Sequence, residues 1–126
     1  MELDIEALTA AAFAVAGLFT CSDDCTAGGV AAAVLADSGE TYTGICIDTS
    51  CSLGFCAEHA AIAEMLKHRR TRIIAIVAVR ANGTIKAPCG RCREMIYQVD
   101  KANMDTQVIL GDRRILRLRD LLPHRT

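Results

Sequence analysis

The chain has 126 residues, of which 52% are hydrophobic and 23% charged, enough apolar material for one core and too much for a disordered chain. Its 14 basic and 15 acidic residues leave a net charge of -1, which excludes binding of polyanions or anionic membranes through field strength alone. Aromatic residues are only 4%, with no Trp, so a row of rings for stacking bases is absent. The start carries Glu2, Asp4 and Glu6 instead of a positive leader. The longest uncharged apolar run, Leu8 to Phe19, is too short to span a bilayer. A cytoplasmic protein of one domain, residues 1–126, is expected.

Residues 3–19 place Leu3, Leu8, Ala12, Val15 and Phe19 at roughly helical intervals, with acids in the first turn where the helix dipole favours them. Gly28 and Gly29 break the chain before a short strand, Val30–Leu35. Asp37-Ser38-Gly39 turns it into a returning strand, Thr41–Ile47. Cys56–Leu66 has helical character and closes on the basic run Lys67 to Arg70, a helix terminus. Ile73–Val79 is continuously apolar and β-branched, as in a strand covered on both faces. A turn at 81–84, a helix over Cys92–Val99 and strands at Thr106–Leu110 and Ile115–Leu118 follow, and 121–123 ends the fold. Helices alternating with apolar strands imply an α/β fold, a three-layer α/β/α sandwich around a mixed sheet. No repeat, P-loop or dinucleotide-binding glycine signature is present.

Seven cysteines are many for this length, and an odd number argues against a fully paired extracellular framework. Cys21 and Cys25, beside flexible glycines, read as plain thiols. The chemistry concentrates in two segments, Cys56-Ala57-Glu58 and Pro88-Cys89-Gly90-Arg91-Cys92, each at a loop-to-helix junction where free backbone N–H groups favour thiolates. Three thiolates can hold zinc and leave its fourth position open, as catalytic sites require. Glu58, two residues beyond the first thiol, can face that position without ligating. The joint pattern is that of zinc deaminases in their all-cysteine form. A closed structural zinc would need His59 or Cys51 as a fourth ligand and would leave Glu58 without a task.

The segments FCAEHAAI and APCGRCREMI and the terminal DLLP resemble the small cytidine deaminases, in outline from Val30 to Pro123. The resemblance implies a five-stranded sheet, Zn²⁺ held by Cys56, Cys89 and Cys92, and Glu58 as proton shuttle. It also implies a homotetramer whose sites neighbouring subunits complete. The reaction would be hydrolytic deamination of cytidine or deoxycytidine at C4 with release of ammonia. The Ala57 carbonyl would accept from the substrate amino group, and no organic cofactor would be needed.

Five positions depart from that family's pattern. His59 stands where the family has Arg. Cys46 and Asp48 stand where an Asn and a Glu clasp the ribose. Gly28 and Thr126 replace two Phe residues. Blasticidin S deaminases, similar zinc enzymes acting on a cytosine with an unusual sugar, are the alternative these departures raise, and an idle zinc-binding module is a further one. A nucleotide or nucleic-acid substrate is not expected, since no basic track is visible. The subunit boundaries are expected near Gly28 and His124. The zinc site with three thiolates carries negative charge, and Arg91, between two ligands, is expected to offset it, with His59 secondary.

Overall fold

The computed structural model describes residues 3–123; His124 and Thr126, expected near a subunit boundary and the substrate, lie outside them. The elements in chain order are α1 (Ile5–Phe13), β1 (Phe19–Ser22), β2 (Cys25–Ala36), β3 (Thr41–Thr49), α2 (Ala57–Lys67), β4 (Ile73–Arg80), β5 (Ile85–Lys86) and α3 (Gly90–Val99). A 3₁₀ turn (Lys101–Asp105), β6 (Gln107–Ile109), β7 (Ile115–Arg117) and α4 (Leu118–Leu121) complete the order.

The sheet has seven strands instead of five, but its frame is the expected one. β3, β2, β4, β6 and β7 lie side by side, antiparallel except for the parallel pair β4 and β6. The two additions are short. β1 continues the row of β4 along the first residues of β2, and β5 continues the row of β6 beside the end of β4. Helix α1 covers one face through Leu8 and Ala12, against Ala31, Ala33, Val77 and Val79. Helices α2, α3 and α4 cover the other through Ile62, Met65, Ile96 and Leu118, against Val34, Ile76 and Val108. The result is a three-layer α/β/α sandwich, as its alternating pattern requires.

Three local expectations are corrected. Helix α1 stops at Phe13 rather than running to residue 19. The Gly17 N–H donates to the Gly28 carbonyl at 2.8 Å, and Phe19 then pairs with Ala27, so sheet pairing takes over where helical spacing alone would continue. Gly28 and Gly29 do not break the chain but lie inside β2. Gly28 has φ +86°, and a Cβ there would sit 2.1 Å from the Gly17 carbonyl oxygen, so only glycine passes this bulge. Residues 118–121 are helical instead of extending the last strand.

Helix α2 lies unusually close to β3. At Gly44 a Cβ would stand 2.4 Å from the Ala61 backbone nitrogen and 2.5 Å from the Ala60 Cβ. That contact seats the helix whose first residues carry the chemistry. A Gly44→Ala variant is therefore expected to lose about 1–3 kcal/mol of stability, the usual cost of overpacking. Chemical denaturation checks this, and an unchanged midpoint would contradict the packing.

Candidate functional site

Two helix starts converge beneath one cleft. Cys56 is the N-cap of α2 and Cys89 the N-cap of α3. Cys92 lies in the first turn of α3 and is fully buried. The Cys89 Sγ faces the Arg91 and Cys92 backbone N–H groups at the start of α3, where partial positive charge stabilises a thiolate. Helix α3 begins at Gly90 rather than at Cys92, which makes Cys89 its cap.

The approach to Cys56 is fixed by backbone. Ile47 and Phe55 exchange both N–H···O bonds, at 3.0 and 3.1 Å, which fastens the 50–56 loop to β3. The approach to Cys89 is fixed by Arg93, whose Nε donates to the Pro88 carbonyl at 2.9 Å. Its Nη1 donates to Leu121 of α4 at 3.1 Å. Arg93 has no assigned task in the sequence reading, although its place directly after the last cysteine marks it. Asn103 is a second such residue. Fully buried, it accepts from the Ile73 N–H and donates to the carbonyls of Thr71 and Ile96, locking α3 to the start of β4.

The sulfur separations fit a tetrahedral ion. Cys56 to Cys89 is 3.6 Å, Cys89 to Cys92 is 3.5 Å, and all three lie within 4.8 Å of one another. Zinc–sulfur bonds of about 2.3 Å place tetrahedral sulfurs about 3.8 Å apart. Among the described residues no other His, Cys, Asp or Glu joins this group. Cys51 is exposed, and His59 is buried with its Nε2 unpartnered. Three thiols, with no fourth side chain among the described residues, would therefore hold the ion.

Glu58 is the carboxylate beside it. It is 1% exposed, and its Oε2 has no hydrogen-bond partner among the described residues although it lines the cleft. A buried, unpaired carboxylate oxygen is costly unless a ligand or proton completes it. The thiols feel the same crowding. Burial pushes the Cys56 thiol up, helped by Cys89, and burial followed by the Glu58 charge pushes Cys92 far up. Burial opposes Cys89 as well, but hydrogen bonds from the Cys92 backbone, the Cys92 and Cys56 thiols and the Arg91 backbone outweigh it, and its pKa falls. A cation is what would make all three thiolates compatible.

The two residues expected to balance that charge differ. Burial, and then the nearby Arg91 charge, lowers the His59 pKa and keeps the ring neutral near pH 7. Arg91 stays exposed at the cleft edge, with its backbone N–H directed at Cys89.

The cleft holds about 740 Å³ and is walled by Val30, Cys46, Asp48, Phe55, Ala57 and Glu58, among others. Cys46 and Asp48 alternate on β3, so both face it. The Cys46 thiol receives the Val30 N–H at 3.3 Å and donates to Asp48 Oδ2 at 3.7 Å. Gly28 does not reach the cleft, whose wall there is Gly29, Val30 and Leu18.

Residues 4–107 match the model of the cytidine and deoxycytidylate deaminase zinc-binding region. A cytidine deaminase of Mycobacterium tuberculosis is 34% identical over 95 residues, covering 75% of this chain and 69% of that protein. The crystal structure of cytidine deaminase from Mycobacterium tuberculosis superposes with a TM-score of 0.81 at 29% identity, over 98% of this chain and 97% of the other. That of cytidine deaminase from Burkholderia pseudomallei gives 0.78 at 26% identity, over 98% and 100%.

Zinc must displace protons from the thiols, so its retention is expected to weaken steadily from about pH 8 to about pH 6. Competition with a chromophoric chelator reads this directly. Retention independent of pH would contradict a three-thiolate site.

Proposed function

The chain belongs to the cytidine and deoxycytidylate deaminase family, and we propose that its cysteine trio, buried carboxylate and cleft together carry out that family's reaction. The activity is zinc-dependent hydrolytic deamination of cytidine or deoxycytidine, giving uridine or deoxyuridine and ammonia. The blasticidin S alternative draws no support from the relatives, which are cytidine deaminases.

In this reading Cys56, Cys89 and Cys92 hold Zn²⁺, which when bound supplies the Lewis acidity that makes water a nucleophile near neutral pH. Glu58 moves the protons. Its Oε2 takes one proton from the attacking water and delivers it to N3 of the ring, then takes the remaining proton from the new C4 hydroxyl and passes it to the amine, so that the C4–N bond breaks, C4=O forms and ammonia leaves. Ala57, the first residue of α2, lines the cleft, and on this reading its carbonyl accepts from the substrate amino group. Cys46 and Asp48 meet the sugar. A thiol donates and accepts only weakly, so this pair distinguishes ribose from deoxyribose poorly. Arg91 offsets the negative charge of the thiolates, since His59 is neutral.

The working unit on this reading is a homotetramer acting in the cytoplasm. Leu18, Phe19 and Leu53 are exposed apolar side chains on the segments around the cleft, surface that a second copy would cover. Among the described residues no helix is long and apolar enough to cross a membrane.

The observation that carries the mechanism is the unpartnered Oε2 of Glu58 beside three convergent thiols. Glu58→Gln keeps the shape and removes the proton carrier. Ammonia release from cytidine is expected to fall at least about 100-fold while zinc content stays unchanged. Turnover at the normal rate would overturn the assignment.

A further inference from the structure

Four cysteines lie outside the metal trio, and two of them meet. Cys21 stands near the end of β1 and Cys25 opens β2, with the turn Asp23-Asp24 between the strands. The register pairs Thr20 with Thr26 and Ser22 with Cys25, so Cys21 is the extra residue of a bulge. Cys21 and Ser22 together oppose Cys25. Residues opposed across an antiparallel pair have Cα atoms about 4.5–5.5 Å apart, inside the span of about 4.4–6.8 Å that a disulfide bridges. The side chains do approach. A hydrogen bond with the Cys21 side chain, followed by burial and the charges of Cys21 and Asp48, raises the Cys25 pKa. Cys21 is exposed, Cys25 half-buried, and both are free thiols.

The hairpin tip is tied to the loop that leads to Cys56. The Asp24 carbonyl accepts from the Ser50 N–H at 3.1 Å, and Asp24 Oδ1 accepts from the Ser50 hydroxyl at 2.9 Å. Ser22 Oγ accepts from the Asp24 N–H at 3.2 Å and so shapes the turn. Cys25 itself pairs with Thr49, whose Oγ1 accepts from the Leu53 and Gly54 N–H groups at 2.8 and 3.1 Å. Ser52, Gly54 and Phe55 of this loop line the cleft, as does Leu18 just before β1; Cys21 and Cys25 are not among its lining residues. In the register Thr26 pairs with Asp48, so Cys25 stands on the face opposite the one Asp48 presents to the cleft.

We propose that Cys21 and Cys25 form a reversible oxidation site, at which a small disulfide such as glutathione disulfide converts the pair to an intramolecular disulfide that fastens the 50–55 loop through Asp24. The site is independent of the deaminase reading. The exposed Cys21, as thiolate, attacks one sulfur of the small disulfide, forming a mixed disulfide and releasing one thiolate. Cys25, as thiolate, then attacks the Cys21 sulfur and releases the second. The cysteine pair loses two electrons and two protons, and the small disulfide gains both as two thiols. Exposed bridges are the ones that thiols reduce again, unlike buried structural ones. The closed ring spans only residues 21–25, so the bond restrains the hairpin tip. Asp24 lies inside that ring, and its carbonyl and carboxylate are held towards Ser50 when the ring closes.

Peptide mapping and hydrogen exchange test the site without requiring turnover. The zinc-loaded protein is equilibrated with reduced or oxidised glutathione, its free thiols are alkylated, and it is cleaved before Asp23 and Asp24, which separates the two cysteines. Peptides joined through Cys21 and Cys25 are expected in oxidised glutathione and are released by dithiothreitol, while Cys56, Cys89 and Cys92 keep their zinc. Deuterium exchange over residues 50–55 is expected to slow about 3-fold or more in the oxidised protein. Cys21→Ser and Cys25→Ser, each nearly isosteric, should each abolish the joined peptides and the slowing. Absence of joined peptides, a stable glutathione adduct on Cys21, or a link from either cysteine to Cys51 or to a second copy overturns the site. A joined pair with unchanged exchange, or slowing that persists in either serine variant, overturns its hold on the loop.

Discussion

Three thiols, Cys92 buried and Cys56 and Cys89 half-buried, share one corner with the buried Glu58 carboxylate, and as anions they repel one another while losing water. The rest of the architecture answers that constraint. Two helices begin at the corner, and backbone N–H groups at the start of α3 face the Cys89 sulfur. Their starts are tied down by the Ile47–Phe55 bridge and by Arg93. A divalent cation held there would supply what backbone dipoles leave uncompensated, and it would give the unpartnered Glu58 oxygen a use beside it.

The sheet makes this possible by what it leaves uncovered. Its α2-side face is apolar where helices sit on it, through Val34, Ile76 and Ala78, and changes character past the first turn of α2. There the same side-chain rows continue as Cys46 and Asp48 on β3 and Arg80 on β4. One pleat therefore builds both the core and the cleft floor. Gly44 allows α2 to lie close to β3, and the position of the helix start, hence of Cys56 and Glu58, follows from that approach.

The metal-binding chemistry was legible in the sequence because it is local: a CAE segment and a PCGRC segment each open a helix. The five-strand frame was legible because β-branched runs alternate with helical spacing. What stayed hidden depends on contacts between distant residues. Nothing near Ala14 marks a helix stop; the pairing of Gly17 with Gly28 does. Two adjacent glycines read as a break, yet they carry β2 past a close backbone contact. Arg93 and Asn103 act through carbonyls of remote segments. The neutral state of His59 likewise follows from burial, which residue type alone does not reveal.

The central claim is that three thiolates, and no fourth protein ligand, hold the metal beside Glu58. X-ray absorption at the zinc edge of the loaded protein measures that shell most directly. The account predicts three sulfur scatterers at about 2.3 Å and one oxygen scatterer near 2.0 Å. Four sulfurs, or imidazole scattering from His59, would describe a closed structural zinc and would contradict it.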